Sequence, residues 1–112
     1  MLRVMAQFMQ VVTAVGSEEE AGTLARGIAG ARLAASVQII GPIRSLYWWK
    51  GELVEAPEWQ VQIRTTTERL GEIEEYIKAN HSYETPGIAA TEFRWGSPEY
   101  LAWISAQTRT DA

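Results

Sequence analysis

The sequence contains no cysteine, which excludes disulfides, thiolate metal sites and a cysteine nucleophile together. Histidine occurs once, as His81, so all imidazole chemistry rests on one side chain. The 10 basic residues are scattered and outnumbered by 14 acidic ones, giving a net charge of −4; no basic surface is left for a phosphate backbone, and nucleic acid is not expected as a partner. No apolar run approaches the roughly 18 residues of a membrane span, so direct membrane insertion is not expected. The opening stretch Met1–Met9 is broken by Arg3 and Gln7 and lacks the pattern of a cleaved leader, which leads to an expectation of a cytoplasmic protein. Catalytic signatures are equally scarce. There is no Gly-rich phosphate loop, HExxH or CxxC, and a Ser-His-Asp arrangement would need His81 and Asp111, the latter in the expected tail; no enzyme is expected.

What remains is a chain of 112 residues, 46% hydrophobic and 21% charged, the size of one domain. The domain is expected to occupy 1–112, with 1–7 as an N-terminal extension and 108–112 as a frayed tail. A chain this short buries a modest fraction of its surface, and pooling apolar surface between copies is one way to gain stability. Five tryptophans point the same way.

Phe8–Val15 is β-rich and apolar on both alternations, as in a strand covered on its second face. Ser17 with Glu20 three residues on forms a capping box, and Glu18, Glu19 and Glu20 sit where the helix dipole favours carboxylates; Ala21, Leu24, Ala25 and Ile28 follow at helical spacing. Arg32–Ile40 and Ile43–Trp49 read as one long strand bulged at Gly41-Pro42, since proline has no N–H for the ladder. Lys50-Gly51-Glu52 marks a turn. Glu58–Thr66 alternates cleanly, with Trp59, Val61, Ile63 and Thr65 on one face and Gln60, Gln62 and Arg64 on the other. Thr66 or Thr67 is expected to cap a second helix carrying Leu70, Ile73, Tyr76 and Ile77, which stops near Asn80. His81–Gly87 reads as a loop, Ile88–Trp95 as a fourth strand, and Ser97-Pro98 as the start of a short last helix. The order is βαββαβ plus a C-terminal helix, an α+β ferredoxin-like sandwich. Its two crossover helices cover one face of the sheet, and the other face is left wet or for another subunit. The end of the long second strand, with Tyr47, Trp48 and Trp49, is placed to join a neighbour's sheet edge.

Five blocks in register, Arg32–Val37, Ser45-Leu-Tyr-Trp-Trp-Lys-Gly51, Glu58, His81-Ser-Tyr-Glu-Thr-Pro86 and Tyr100-Leu-Ala-Trp-Ile104, resemble the CutA family of divalent-cation tolerance proteins. The likeness runs from about Met9 to Ala106. It implies a ferredoxin-like protomer in a PII-like homotrimer, and a part in divalent metal ion tolerance or response, copper(II) or another divalent cation being the implied metal. The sequence departs from the family pattern at Ser36, where cysteine is common, at Ser82, where proline usually follows the loop histidine, and at Gly87 in place of glutamate. Family members credited with copper ligands carry them where this chain has Val12, Asn80 and His81, so one implied ligand of three remains.

His81 is the candidate metal ligand, with a hydrogen-bonded loop histidine as the competing reading. Tyr47, Trp48, Trp49, Trp59, Tyr83 and Glu84 are the candidates for a trimer interface or a cleft between subunits. Glu84 is also placed to hold an arginine or a ligand's amine, and Lys50, Arg64 and Arg94 to meet an anion or to be ion-paired. Three functional readings follow: a metal-tolerance trimer, a PII-like module binding a small anionic or nucleotide ligand, and a structural trimer docking a protein partner that the sequence does not identify.

Overall fold

Alternation along the first strand decides the layering. The computed structural model describes residues 7–108; the expectations for 1–6 and 109–112, Asp111 included, lie outside the described residues. β1 (Phe8–Val15) buries Val11, Thr13 and Val15 and leaves Gln10, Val12 and Ala14 half-buried on its other face. β3 (Glu52–Thr66) repeats the pattern with Val61, Ile63 and Thr65 inside. Two helices close over these residues. Ala21, Leu24 and Ile28 of α1 (Glu18–Gly30) and Ile73 and Ile77 of α2 (Leu70–Asn80) join Val11, Val15, Val61 and Ile63 in one apolar cluster. Each valine, leucine or isoleucine among them contributes about 1.5–3 kcal/mol by leaving water.

The remaining elements are β2 (Ser36–Trp49), β4 (Ala89–Glu92) and α3 (Pro98–Gln107). The sheet order is β2-β3-β1-β4 with every pair antiparallel, the ferredoxin-like sandwich that the element order implied. α3 reaches the second face at the end of β3, where Arg64 donates to the Tyr100 hydroxyl at 3.3 Å.

The local chemistry corrects several boundaries. Ser17 Oγ accepts from the Glu20 N–H at 3.1 Å, as the capping box requires, but α1 ends in a Schellman motif: Leu33 N–H bonds Ile28 O, and Arg32 N–H bonds Ala29 O. Arg32 takes the left-handed conformation there, φ 59°, so β2 begins at Ser36 and not at Arg32. Gly27 lies against the hydroxyl end of Tyr76, where any Cβ would collide with it, and this lets α1 and α2 approach. The ladder of β2 and β3 shifts register between Ile40 and Ile43, where the bulge at Gly41-Pro42 was expected. Lys50 and Gly51, φ 50° and 81°, close the hairpin in a two-residue turn. β3 therefore begins at Glu52, earlier than Glu58, because pairing runs out to Trp49 and Glu52.

α2 is entered through a 3-10 turn, Thr67–Arg69, and the Thr66 side chain makes no capping bond. β4 stops at Glu92, short of the expected Trp95, with the Phe93 N–H bonding Phe8 O at its end. Thr108 is buried; its hydroxyl donates to Ile104 O at 2.9 Å and its carbonyl accepts from Arg69 Nε at 2.9 Å. It belongs to the end of α3, and only 109–112 remain of the tail expectation.

Beyond the bulge, Leu46 and Leu53 stand more than half exposed on the hairpin, with Trp48 72% exposed.

Candidate functional site

The loop that follows α2 is tied down at three points. The His81 ring is fully enclosed; Nε2 lies 2.8 Å from the Ala14 carbonyl, and Nδ1 accepts from the Tyr83 N–H at 3.0 Å. A proton on Nε2 and a lone pair on Nδ1 satisfy both bonds. Ser82 gives Glu20 two more, from its N–H at 2.9 Å and its hydroxyl at 2.8 Å. The N3 glutamate of α1 thus turns to the loop.

These anchors carry Tyr83 past Gly16 toward β3, where its hydroxyl donates to Glu58 Oε2 at 2.6 Å. That length is typical of a charge-assisted bond. Burial, and then the bond to the Glu58 carboxylate, push the tyrosine hydroxyl well above its ordinary pKa. Glu58 is only 7% exposed.

Around this pair lies a cleft of about 830 Å³, walled by Tyr47 and Trp49 of β2, Val12 and Ala14 of β1, Glu58 of β3, and Tyr83 and Glu84 of the loop. At its mouth Lys50 Nζ lies 3.6 Å from Glu84 Oε2 and 5.5 Å above the Trp49 ring. This ion pair is exposed and contributes little to stability. Arg44, also on the wall, is bonded to Glu55 at 2.8 Å.

Four of the residues singled out from sequence, Tyr47, Trp49, Tyr83 and Glu84, therefore meet in one cleft. Trp48 does not line it. Trp59 lies on the helix-covered face, packed against the core beside Gly41. Of the candidate anion receivers, Lys50 is paired with Glu84, and Arg64 bonds Gln10 Oε1 and the Tyr100 hydroxyl; Arg94 is exposed in the segment after β4.

His81 stands beside the cleft, but both of its ring nitrogens are engaged by backbone groups, which leaves no lone pair for a metal. Asn80 Nδ2 donates to Tyr76 O at 2.9 Å, and Val12 offers no donor atom. Among the described residues no three His, Cys, Asp or Glu side chains converge on a point. The donors present do not fit the copper centre that the resemblance implied, and the physical reason is the structural use of the one imidazole.

Sequence reasoning passed over Glu58 and Glu20 as site residues. The signal for Glu58 was its place in the row Glu58, Gln60, Gln62, Arg64 on the face that the two helices do not cover. Glu20 was absorbed by its capping position.

Comparison with known proteins follows the same outline. Residues 9–107 match the family model described as CutA1 divalent ion tolerance protein. A divalent-cation tolerance protein CutA from Thermus thermophilus is 40% identical over 98 residues, spanning 88% of this chain and 95% of that protein. The crystal structure of CutA1 from Oryza sativa superposes with a TM-score of 0.90 at 33% identity, over 95% of this chain and 97% of that one. A structure from Archaeoglobus fulgidus, described as a periplasmic divalent cation tolerance protein CutA, gives a TM-score of 0.88 at 34% identity, over 91% and 99%.

Proposed function

Because the chain belongs to the CutA1 divalent ion tolerance family, we propose that it works as a homotrimer in the tolerance of, or response to, divalent metal ions such as copper. The family match across residues 9–107 carries this reading. The trimer is supported by the hairpin, whose exposed Leu46, Trp48 and Leu53 form an apolar surface suited to a copy of the same chain. The outer edges of β2 and β4, each paired on one side only among the described residues, add free ladder groups for a neighbour's strand. His81 is no ligand in this reading, and we assign no catalytic role. A cytoplasmic location belongs to the same proposal, and cell fractionation checks it. The functional test is growth under copper(II) challenge. A host strain lacking the gene is expected to stop growing at a lower copper concentration and to recover when wild type or His81→Ala is restored; unchanged growth overturns the reading.

A second reading is favoured by the cleft at Tyr83 and Glu58: a PII-like module in which a small molecule enters and the loop 81–87 transmits its presence. Here the ligand's charge differs from the anion expected from sequence, because the buried charge on the wall is a carboxylate.

A further inference from the structure

We propose that the cleft binds a small organic cation, a primary ammonium or a guanidinium group, held by the Glu58 carboxylate among the rings of Tyr47, Trp49 and Tyr83. The proposal rests on the small-molecule reading of the cleft and not on metal tolerance.

Three observations carry it. The first is the state of Glu58. The residue is more than nine-tenths buried and lines the cleft, and among the described residues it forms no ion pair. Its Oε2 accepts the hydrogen bond of the Tyr83 hydroxyl. A hydroxyl dipole compensates only part of a buried negative charge, and such a charge is ordinarily matched by a cation. The second is the wall. Tyr47, Trp49 and Tyr83 are aromatic, and the negative faces of aromatic rings attract ammonium and guanidinium groups. The third is the rim, where Lys50 Nζ already lies 5.5 Å over the Trp49 ring and 3.6 Å from Glu84. The protein's own ammonium group adopts at the mouth the pairing that a ligand would repeat inside.

The same features select against other ligands. Calcium and magnesium ions take six or more oxygens; the wall supplies one buried carboxylate, while Glu84 is paired to Lys50. Copper favours imidazole or thiolate donors, and the His81 ring is closed off. The one cationic side chain lining the cleft among the described residues, Arg44, is held by Glu55 at 2.8 Å, so an anion entering it would meet the Glu58 carboxylate.

The test is calorimetric titration of the full chain, at constant ionic strength, with n-butylammonium, methylguanidinium and, as the sign control, butanoate. Saturable binding of at least one of the two cations is expected, with none of butanoate. Glu58→Gln keeps the shape and an acceptor for Tyr83, and is expected to weaken cation binding at least tenfold with mass and circular dichroism unchanged. Tyr47→Leu leaves the carboxylate in place and is expected to weaken it several-fold, which keeps the test available if Glu58→Gln does not fold. Cation binding that neither variant alters overturns the proposal. Saturable butanoate binding without cation binding overturns the ligand class but keeps the small-molecule reading. No binding by any probe overturns both. A change of oligomer mass in Glu58→Gln without probe binding by wild type assigns the carboxylate to a contact between copies and also overturns the proposal.

Discussion

The Tyr83 hydroxyl donates to Glu58 Oε2 across 2.6 Å, fastening the loop after α2 to the middle of the longest strand. Replacing Tyr83 with phenylalanine leaves a buried carboxylate without its donor, and hydrogen bonds to charged groups contribute about 1.5–3 kcal/mol. A loss of that size in urea denaturation is expected.

The same bond sets a dependence on pH. The Tyr83 hydroxyl ionises at higher pH in the folded chain than in the unfolded one, so the folded state holds more protons once pH passes the ordinary tyrosine value of about 10. Its stabilisation is complete below that value and is lost as pH rises through the folded-state pKa. Wild type is therefore expected to lose melting temperature above about pH 10 more steeply than Tyr83→Phe, measured by thermal melts in matched buffers. Parallel curves would show that the hydroxyl does not titrate differently on folding.

Ser82 takes the place where the family resemblance implies proline, and the structure gives its backbone N–H a use, since that N–H and the hydroxyl both bond Glu20. Ser82→Ala removes one donor and is expected to lower stability by about 1 kcal/mol; Ser82→Pro removes both and is expected to lower it further. Glu20→Ala should reproduce most of the larger loss, and thermal denaturation of the three variants decides it.

Gly27→Ala would drive a methyl group into the hydroxyl end of Tyr76 between α1 and α2. Overpacking of this kind destabilises by about 1–3 kcal/mol, even though alanine is the better helix former by about 1 kcal/mol. Denaturant melts of Gly27→Ala and of Gly27→Ala with Tyr76→Ala check the cause: the alanine at 27 should be better tolerated once the ring is gone.

His81→Ala removes the donor to Ala14 and the acceptor for Tyr83. It is expected to lower the melting temperature and to leave a calorimetric copper(II) titration unaltered. A stoichiometric copper signal that vanishes in the variant would restore His81 as a ligand.

How far the sequence discloses this molecule differs between fold and site. Alternation at Val11, Thr13 and Val15 and at Val61, Ile63 and Thr65, helical spacing at Leu24, Ile28, Ile73 and Ile77, and the caps at Ser17 and Ser97 follow from local periodicity and hydrogen bonding, and the order of elements then restricts the topology. The boundaries that moved were decided by tertiary contacts. Arg32–Ala35 has a strand-like composition, but it serves the Schellman motif that turns the chain out of α1. The start of β3 was hidden because Glu52–Pro57 pairs with the far end of the hairpin and buries little of itself. At the site, the aromatics announced themselves by type. Glu58 stood in one of the family-like blocks and in the row of the uncovered face, but its role was hidden, because that role depends on a contact with Tyr83, 25 residues away. His81 was misleading for the same reason: nothing in its neighbours reveals that Ala14 O, 67 residues away, occupies its ring.

The proposed homotrimer answers the exposed apolar hairpin, which in water calls for further copies to cover it. The mass of the purified, tag-free chain by light scattering at micromolar concentration tests this most directly. Three times the protomer mass is predicted for wild type, with a shift toward protomer in Trp48→Glu, which places a charge on the exposed hairpin. A wild-type mass equal to one protomer would contradict it.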